Sequence, residues 1–228
     1  MQKPSFTNNQ LKIIAMLTMT VDHVGAILLP QVTWLRLIGR LAFPIYAFMI
    51  AEGCRHTRSL PRYLATLGAL AGVCQGVYFF AMGSLHQSIL VTFTLSVGLC
   101  MLVKLAAEKR SFWTRLALGG AVVGVFWITQ LLPGLLSYTD FSVDYGFFGV
   151  MLPVCVYWAG TKTARLAVAG LVLGAMALTM WPGQWASLLA LPLLALYNGH
   201  RGKLRLKWLF YFYYPLHLVI LQGLSLIL

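Results

Sequence analysis

Six residues of this sequence stand where a charge or an imidazole is costly to place. Asp22 and His23 lie together in LTMTVDHVGA, Arg36 and Arg40 in LRLIGRLAFP, Glu52 a turn or so before the next polar loop, and His217 in FYYPLHLVI. Each is embedded in an apolar run, and an ionisable group at membrane depth is a functional-site hypothesis by default. Histidine changes charge near neutral pH and suits proton transfer, while arginine grips carboxylates and phosphates through a planar fork. Asp22 and His23 are neighbours in sequence, so on a helix their side chains project about 100° apart and cannot form a simple dyad. One can face a cavity while the other pairs with Arg36 or Arg40, which at i, i+4 share a face. A structural Asp–Arg pair with a histidine bound to a backbone carbonyl accounts for the same residues.

A second cluster follows at the end of the same apolar run. Glu52 and His56 are i, i+4, and Cys54, Arg55, Thr57 and Arg58 surround them. These residues suit the phosphates of an anionic cytosolic cofactor. On sequence alone they better suit an ordinary basic loop with an ion pair at a helix end.

The elements that must position these residues are membrane helices. The chain has 228 residues, 60% of them hydrophobic and 10% charged, with mean hydropathy +0.80. The apolar runs are continuous rather than alternating, which argues against a transmembrane β-barrel. Segments near 11–29, 35–53, 63–82, 88–107, 116–134, 146–160, 165–181, 184–197 and 208–228 are long or apolar enough to be helices. The expectation is therefore an all-α polytopic bundle of about nine transmembrane helices, forming a single domain over residues 1–228. Pro44 should bend the second segment. Pro153 and Pro192 fall inside the short sixth and eighth, for which a tilted, broken or re-entrant form is the expectation. The opening MQKPSFTNNQLKII has a polar head and no cleavage site, so the first helix should be retained rather than removed as a leader.

Basic residues alternate along the loops. Arg55, Arg58 and Arg62 follow the second segment, and Lys109, Arg110 and Arg115 the fourth. Lys162 and Arg165 follow the sixth, and Arg201, Lys203, Arg205 and Lys207 the eighth. The intervening loops are nearly free of Lys and Arg, and one carries Asp140 and Asp144. The positive-inside rule places the N-terminus in the cytoplasm and the C-terminus outside. A net charge of +12 then reads as orientation and contact with anionic lipid rather than nucleic-acid binding. Cys54, Cys74, Cys100 and Cys155 show no metal-ligand spacing and read as small packing residues. No metal is expected. Trp127, Trp181 and Trp185 read as packing or interfacial belt residues. The aromatics at 210–215 suit an interfacial belt, core packing or a substrate wall.

A rise of ~1.5 Å per residue puts His23 about 18 Å from the cytoplasmic end of its helix, His217 about 14 Å up its own and Arg40 about 8 Å in from outside. The three fall within about two helix turns in depth. They can be gathered if the first, second and ninth helices are neighbours.

Five segments together resemble the TraX family, whose founding activity is N-terminal acetylation of conjugative pilin. They are LKIIAMLTMTVDHVGA at 11–26, LRLIGRLAFPIYAFMIAEGCRHTR at 35–58, DYGFFGV at 144–150, LPLLALYNGHRG at 191–202 and FYYPLHL at 212–218. The stretch near 85–140 matches by hydropathy only. That family is related to the acyltransferase-3 membrane enzymes, which carry a basic residue and a later histidine on the first helix. Lys12 and His23 resemble that pair, with lysine where the relative usually has arginine.

The resemblance implies a membrane acetyltransferase of the bacterial inner membrane, with acetyl-CoA as donor and an acceptor peptide, sugar or lipid presenting an amine or hydroxyl. His23 would be the general base, with His217 as second acid/base candidate. Asp22 would orient the site and Arg40 steady the thioester oxyanion. Arg55, His56 and Arg58, with Glu52 beside them, would meet the CoA phosphates. The rival expectation is a proton-coupled transporter or channel using Asp22, His23 and Glu52, against which no inverted repeat is visible. A structural scaffold would have little use for buried ionisable groups.

Overall fold

Hydroxyl side chains open several of the helices that the apolar runs call for. The structure, a computed structural model, describes residues 5–203, 207–225 and 227. Arg205 of the last basic loop lies outside the described residues, as do the side chains of Lys207, Phe210 and Tyr211. Thr7 caps α1 (Asn8–Ile27) in a reciprocal capping box with Gln10. α2 (Thr33–Gly39) and α3 (Ala42–His56) cover the second expected segment. The bend falls at Arg40–Leu41, four residues before Pro44, because Pro44 has no N–H to offer the Arg40 carbonyl. α4 (Leu60–Met82) and α5 (Ile89–Lys109) follow, α4 capped by the Ser59 hydroxyl.

The fifth segment holds α6 (Phe112–Phe126), a π-turn at Trp127–Leu131 and α7 (Leu132–Leu135). The Leu132 N–H reaches back to the Trp127 carbonyl, a five-residue step that absorbs the donor Pro133 cannot supply. α8 (Gly146–Trp158) and α9 (Lys162–Thr179) come next. The eighth segment differs from a regular helix. It is a 3₁₀-helix at Pro182–Leu189 followed by the six-residue α10 (Ala190–Ala195), with Pro192 removing a donor at the changeover. α11 (Lys207–Ser225) covers the ninth.

The described residues are helical with two isolated bridges and no strand. Five stretches are long and apolar enough to cross a membrane: Thr33–His56, Leu60–Phe80, Ile89–Lys109, Phe112–Leu135 and Lys162–Thr179. α8 is apolar but shorter. α1 and α11 have 20 and 19 residues, about the length of a span, and carry polar residues of the candidate site.

The chain forms two compact units, residues 1–49 with 169–228, and residues 50–168. In the first, α1 packs on α2 and on α11, and α2 on the 3₁₀-helix. Its N-terminal segment lies along the loop after α10: the Phe6 N–H donates to Leu196 O, Asn198 N–H to Phe6 O, and Asn8 N–H to His200 O.

In the second unit α5 is the central element, against α4, α6 and α8. Thr92, Ser96, Val97 and Cys100 are fully buried along it. The Ser96 hydroxyl donates to Val150 O of α8 at 2.8 Å and the Thr92 hydroxyl to Asp144 O at 2.7 Å. The loops after α4 and α7 are tied together. Gln87 N–H donates to Ser142 O and Asp144 N–H to Gln87 O, His86 Nδ1 meets the Ser142 hydroxyl at 2.8 Å, and Asp140 accepts from Ser84 and from the Leu85 N–H.

Those two donors, the Ser84 hydroxyl first, hold the Asp140 carboxyl below its ordinary range. A depressed carboxylate stabilises the fold above its unfolded pKa and loses that effect as pH falls through the folded value. Asp140→Ala should therefore speed amide exchange at 84–87 at neutral pH. The difference from wild type should vanish once acid protonates the carboxyl.

Candidate functional site

Close approach between α1 and α2 sets the geometry of the first cluster. Gly39 leaves the space that Asp22 fills: a Cβ there would stand 2.2 Å from Asp22 Cβ and Oδ1. Gly25 likewise faces Leu35 Cβ at 2.7 Å. In that space Asp22 pairs with both arginines of α2 and its end. Arg36 Nη1 donates to Oδ2 at 2.7 Å, and Arg40 Nη2 to Oδ1 at 2.9 Å. Arg40, 6% exposed, also donates through Nη1 to Gln184 Oε1 at 3.4 Å and lies over the Trp181 ring at 5.9 Å. Trp181 thus meets a buried cation, a role that its reading as a belt residue left out.

With Asp22 committed to the arginines, His23 projects elsewhere, toward α11. His217 Nε2 lies 3.2 Å from His23 Nδ1, with ring centroids 4.9 Å apart. His23 Nδ1 is also 2.8 Å from Met19 O, and His217 Nδ1 is 2.8 Å from Tyr213 O. A carbonyl only accepts, so each ring holds a proton on Nδ1. His217 Nε2 then accepts from the His23 Nδ1–H, which is shared with Met19 O. In the neutral ring the lone pair of His23 is on Nε2. Tyr213 stacks on His217 at 5.1 Å and its hydroxyl bonds the Thr20 hydroxyl, fastening α11 to α1 one turn below the histidines. Lys12 lies eleven residues before His23 on α1, on the same face about 16 Å away.

The first, second and ninth segments are therefore neighbours within one unit, and Asp22, His23, Arg40 and His217 come together there. Both halves of the bland expectation are also present, the Asp–Arg pair and the carbonyl-bound histidine. The aromatic run supplies Tyr213 and Tyr214 as packing around His217, while Phe212 is exposed. Thr20, Gln184 and Ser187 were missed by sequence reasoning. The available signal was two polar side chains three residues apart in the otherwise apolar eighth segment.

The second cluster belongs to the other unit. Glu52, 4% exposed, receives Arg165 Nη1 at 2.7 Å, with His56 Nδ1 at 3.9 Å. Arg55 Nη2 donates to the carbonyls of Val156, Tyr157 and Ala159 at the end of α8. Glu52 and Arg55 are thus tied into the fold, while His56 and Arg58 are exposed. Cys54, Cys74 and Cys100 are buried free thiols. Among the described residues no group of three or more His, Cys, Asp or Glu could hold a metal ion.

Gly39→Ala should force Asp22 away from its arginines and destabilise the protein by about 1–3 kcal/mol, the usual range for overpacking. Thermal unfolding in nanodiscs measures this. Gly72→Ala is the control, since a Cβ at Gly72 meets nothing within 4 Å.

A family model described as TraX protein matches residues 7–225. The chain is 27% identical over 248 residues to a probable fimbrial assembly protein, FimC of serogroup H1, from Dichelobacter nodosus, covering 95% of this chain and 94% of that one. It is 48% identical over 44 residues to an uncharacterized protein of Rickettsia prowazekii (strain Madrid E), 18% of each chain. No solved structure matches.

Proposed function

The chain belongs to the TraX family, and from that premise we propose that it is a multi-pass acetyltransferase of a bacterial inner membrane. It takes acetyl from acetyl-CoA and gives it to an amine or hydroxyl, with the N-terminus of a pilus subunit as the favoured acceptor. The observation that carries this reading is the His23–His217 pair. It leaves a lone pair on His23 Nε2 and supports the proton that this atom would gain, because Nδ1–H is already held by Met19 O and His217 Nε2.

In the proposed reaction His23 Nε2 takes the acceptor's proton as its nitrogen or oxygen attacks the thioester carbonyl. Arg40 steadies the oxyanion, and Asp22 fixes Arg40 and Arg36. The tetrahedral species collapses, the C–S bond breaks, and the CoA sulfur receives the proton. His56, exposed at the end of α3, and Arg58, exposed on the loop that follows, are the residues we assign to the CoA phosphates. Arg55 and Glu52 shape that loop from within. The relative named for fimbrial assembly supports a pilin-related acceptor. We also propose a relationship to acyltransferase-3 enzymes, with which Lys12 and His23 on one face of α1 are consistent.

We also propose nine spans, with the N-terminus inside and the C-terminus outside. Three sets of contacts support this, each joining segments that the charge pattern assigns to one side. Within the first unit, residues 6–9 meet 196–201. Within the second, Glu52 and Arg55 meet 156–165, and residues 84–87 meet 140–144.

Purified protein in nanodiscs should acetylate a peptide amine from acetyl-CoA, and His23→Ala should lower turnover about 100- to 10,000-fold while remaining folded. His217→Ala should cost less. Sealed-vesicle uptake without chemistry would instead favour the transporter. Near-normal turnover in His23→Ala would remove the general base from α1. A C-terminal reporter active only in the cytoplasm would refute the proposed orientation.

A further inference from the structure

The least satisfied polar groups of the first unit lie beside its densest charge. Gln184 and Ser187 are both fully buried on the 3₁₀-helix, and neither Gln184 Nε2 nor Ser187 Oγ has a hydrogen-bond partner. Three residues apart on a helix of three residues per turn, their side chains lie on one face. A buried polar group without a partner is rare and costly. Two on one face, next to a guanidinium, point to an absent partner.

The chemistry of that partner follows from the neighbours. Arg40 is only a donor, so the Gln184 atom facing it must be Oε1. That leaves Nε2 as a buried amide donor without a partner. The local charge is also unbalanced, since Arg36 and Arg40 face the single carboxylate of Asp22. A buried, water-excluded place with surplus positive charge, an amide N–H and a hydroxyl suits an oxygen that is negative or becoming so.

We propose that Gln184 and Ser187, with Arg40, form the subsite for the acyl oxygen of the thioester. This rests on the acetyltransferase reading and assigns it residues that the sequence did not single out. As the acceptor nitrogen forms its bond to the acyl carbon, the carbonyl π-pair moves onto oxygen. Gln184 Nε2–H donates to that oxyanion and the Ser187 hydroxyl supports it. When the pair returns, the C–S bond breaks and the thiolate leaves with the proton held on His23.

The test compares wild type, Gln184→Met, Gln184→Glu and Ser187→Ala in nanodiscs, with acetyl-CoA and a synthetic peptide bearing a free N-terminal amine. Gln184→Met should lower kcat about 100- to 1,000-fold with little change in KM for the peptide. Its melting temperature should hold or rise, because a buried donor without a partner is removed. Gln184→Glu should lose at least as much rate, since its carboxylate opposes the oxyanion, and Ser187→Ala less. Unchanged kcat in both Gln184 variants overturns the subsite. So does a raised peptide KM at constant kcat, which would put the oxygen on the acceptor instead. A rate loss matched by a fall in melting temperature in all three variants marks a structural role and overturns it as well. A wild type without transfer removes the acetyltransferase reading itself, and the subsite with it.

Discussion

One carboxylate between two guanidinium groups organises the first unit. Asp22 cannot stand alone at depth, because an isolated charge in a poorly solvated medium neutralises or finds a partner. Its two oxygens are divided between Arg36 and Arg40, and that division requires α1 and α2 to approach until Gly39 touches the Asp22 side chain. The rest follows from this contact. The hundred-degree step along α1 then turns His23 toward α11, and the bend at Arg40–Leu41 brings Arg40 to Gln184 and Trp181. Replacing Asp22 would take from Arg36 and Arg40 the counter-charge that they share, so this network is worth more as a constraint on geometry than as a sum of pair energies.

Much of this was legible in the sequence. The apolar runs mark where helices form, and the depth estimate puts His23, His217 and Arg40 within reach of one another. Adjacent helical positions separate the roles of Asp22 and His23. Which residue takes which partner was open, because it depends on the close approach that Gly39 permits. The eighth segment was readable as apolar but not as a 3₁₀-helix. Pro192 signals irregularity without choosing its form, and the choice places Gln184 and Ser187 on a common face. At the other cluster, composition could not separate a phosphate grip from a helix-end ion pair. Glu52 with Arg165, and Arg55 on the α8 carbonyls, show internal partners that lie more than a hundred residues away in sequence.

Prolines mark the irregular places, and the chain meets each differently. Pro44 displaces the break to the residues just before it, and Pro133 is met by a π-turn. Pro153 sits within α8 and leaves the Gly149 carbonyl without its helical donor. At Pro44 and Pro133 the adjustment is made by the neighbouring backbone itself.

The division of the chain has a consequence for the order of synthesis. Residues 50–168 are one continuous stretch, whereas the other unit joins 1–49 to 169–228. The contact between His23 and His217 spans 194 positions, and the backbone of the N-terminal segment meets its distant hydrogen-bond partners at 196–201. A chain emerging from the ribosome can complete its middle unit while α1 and α2 still lack α11, since contacts close in sequence form before distant ones. The imidazole pair is therefore assembled last, and a product truncated before α11 would contain a finished unit without the second histidine.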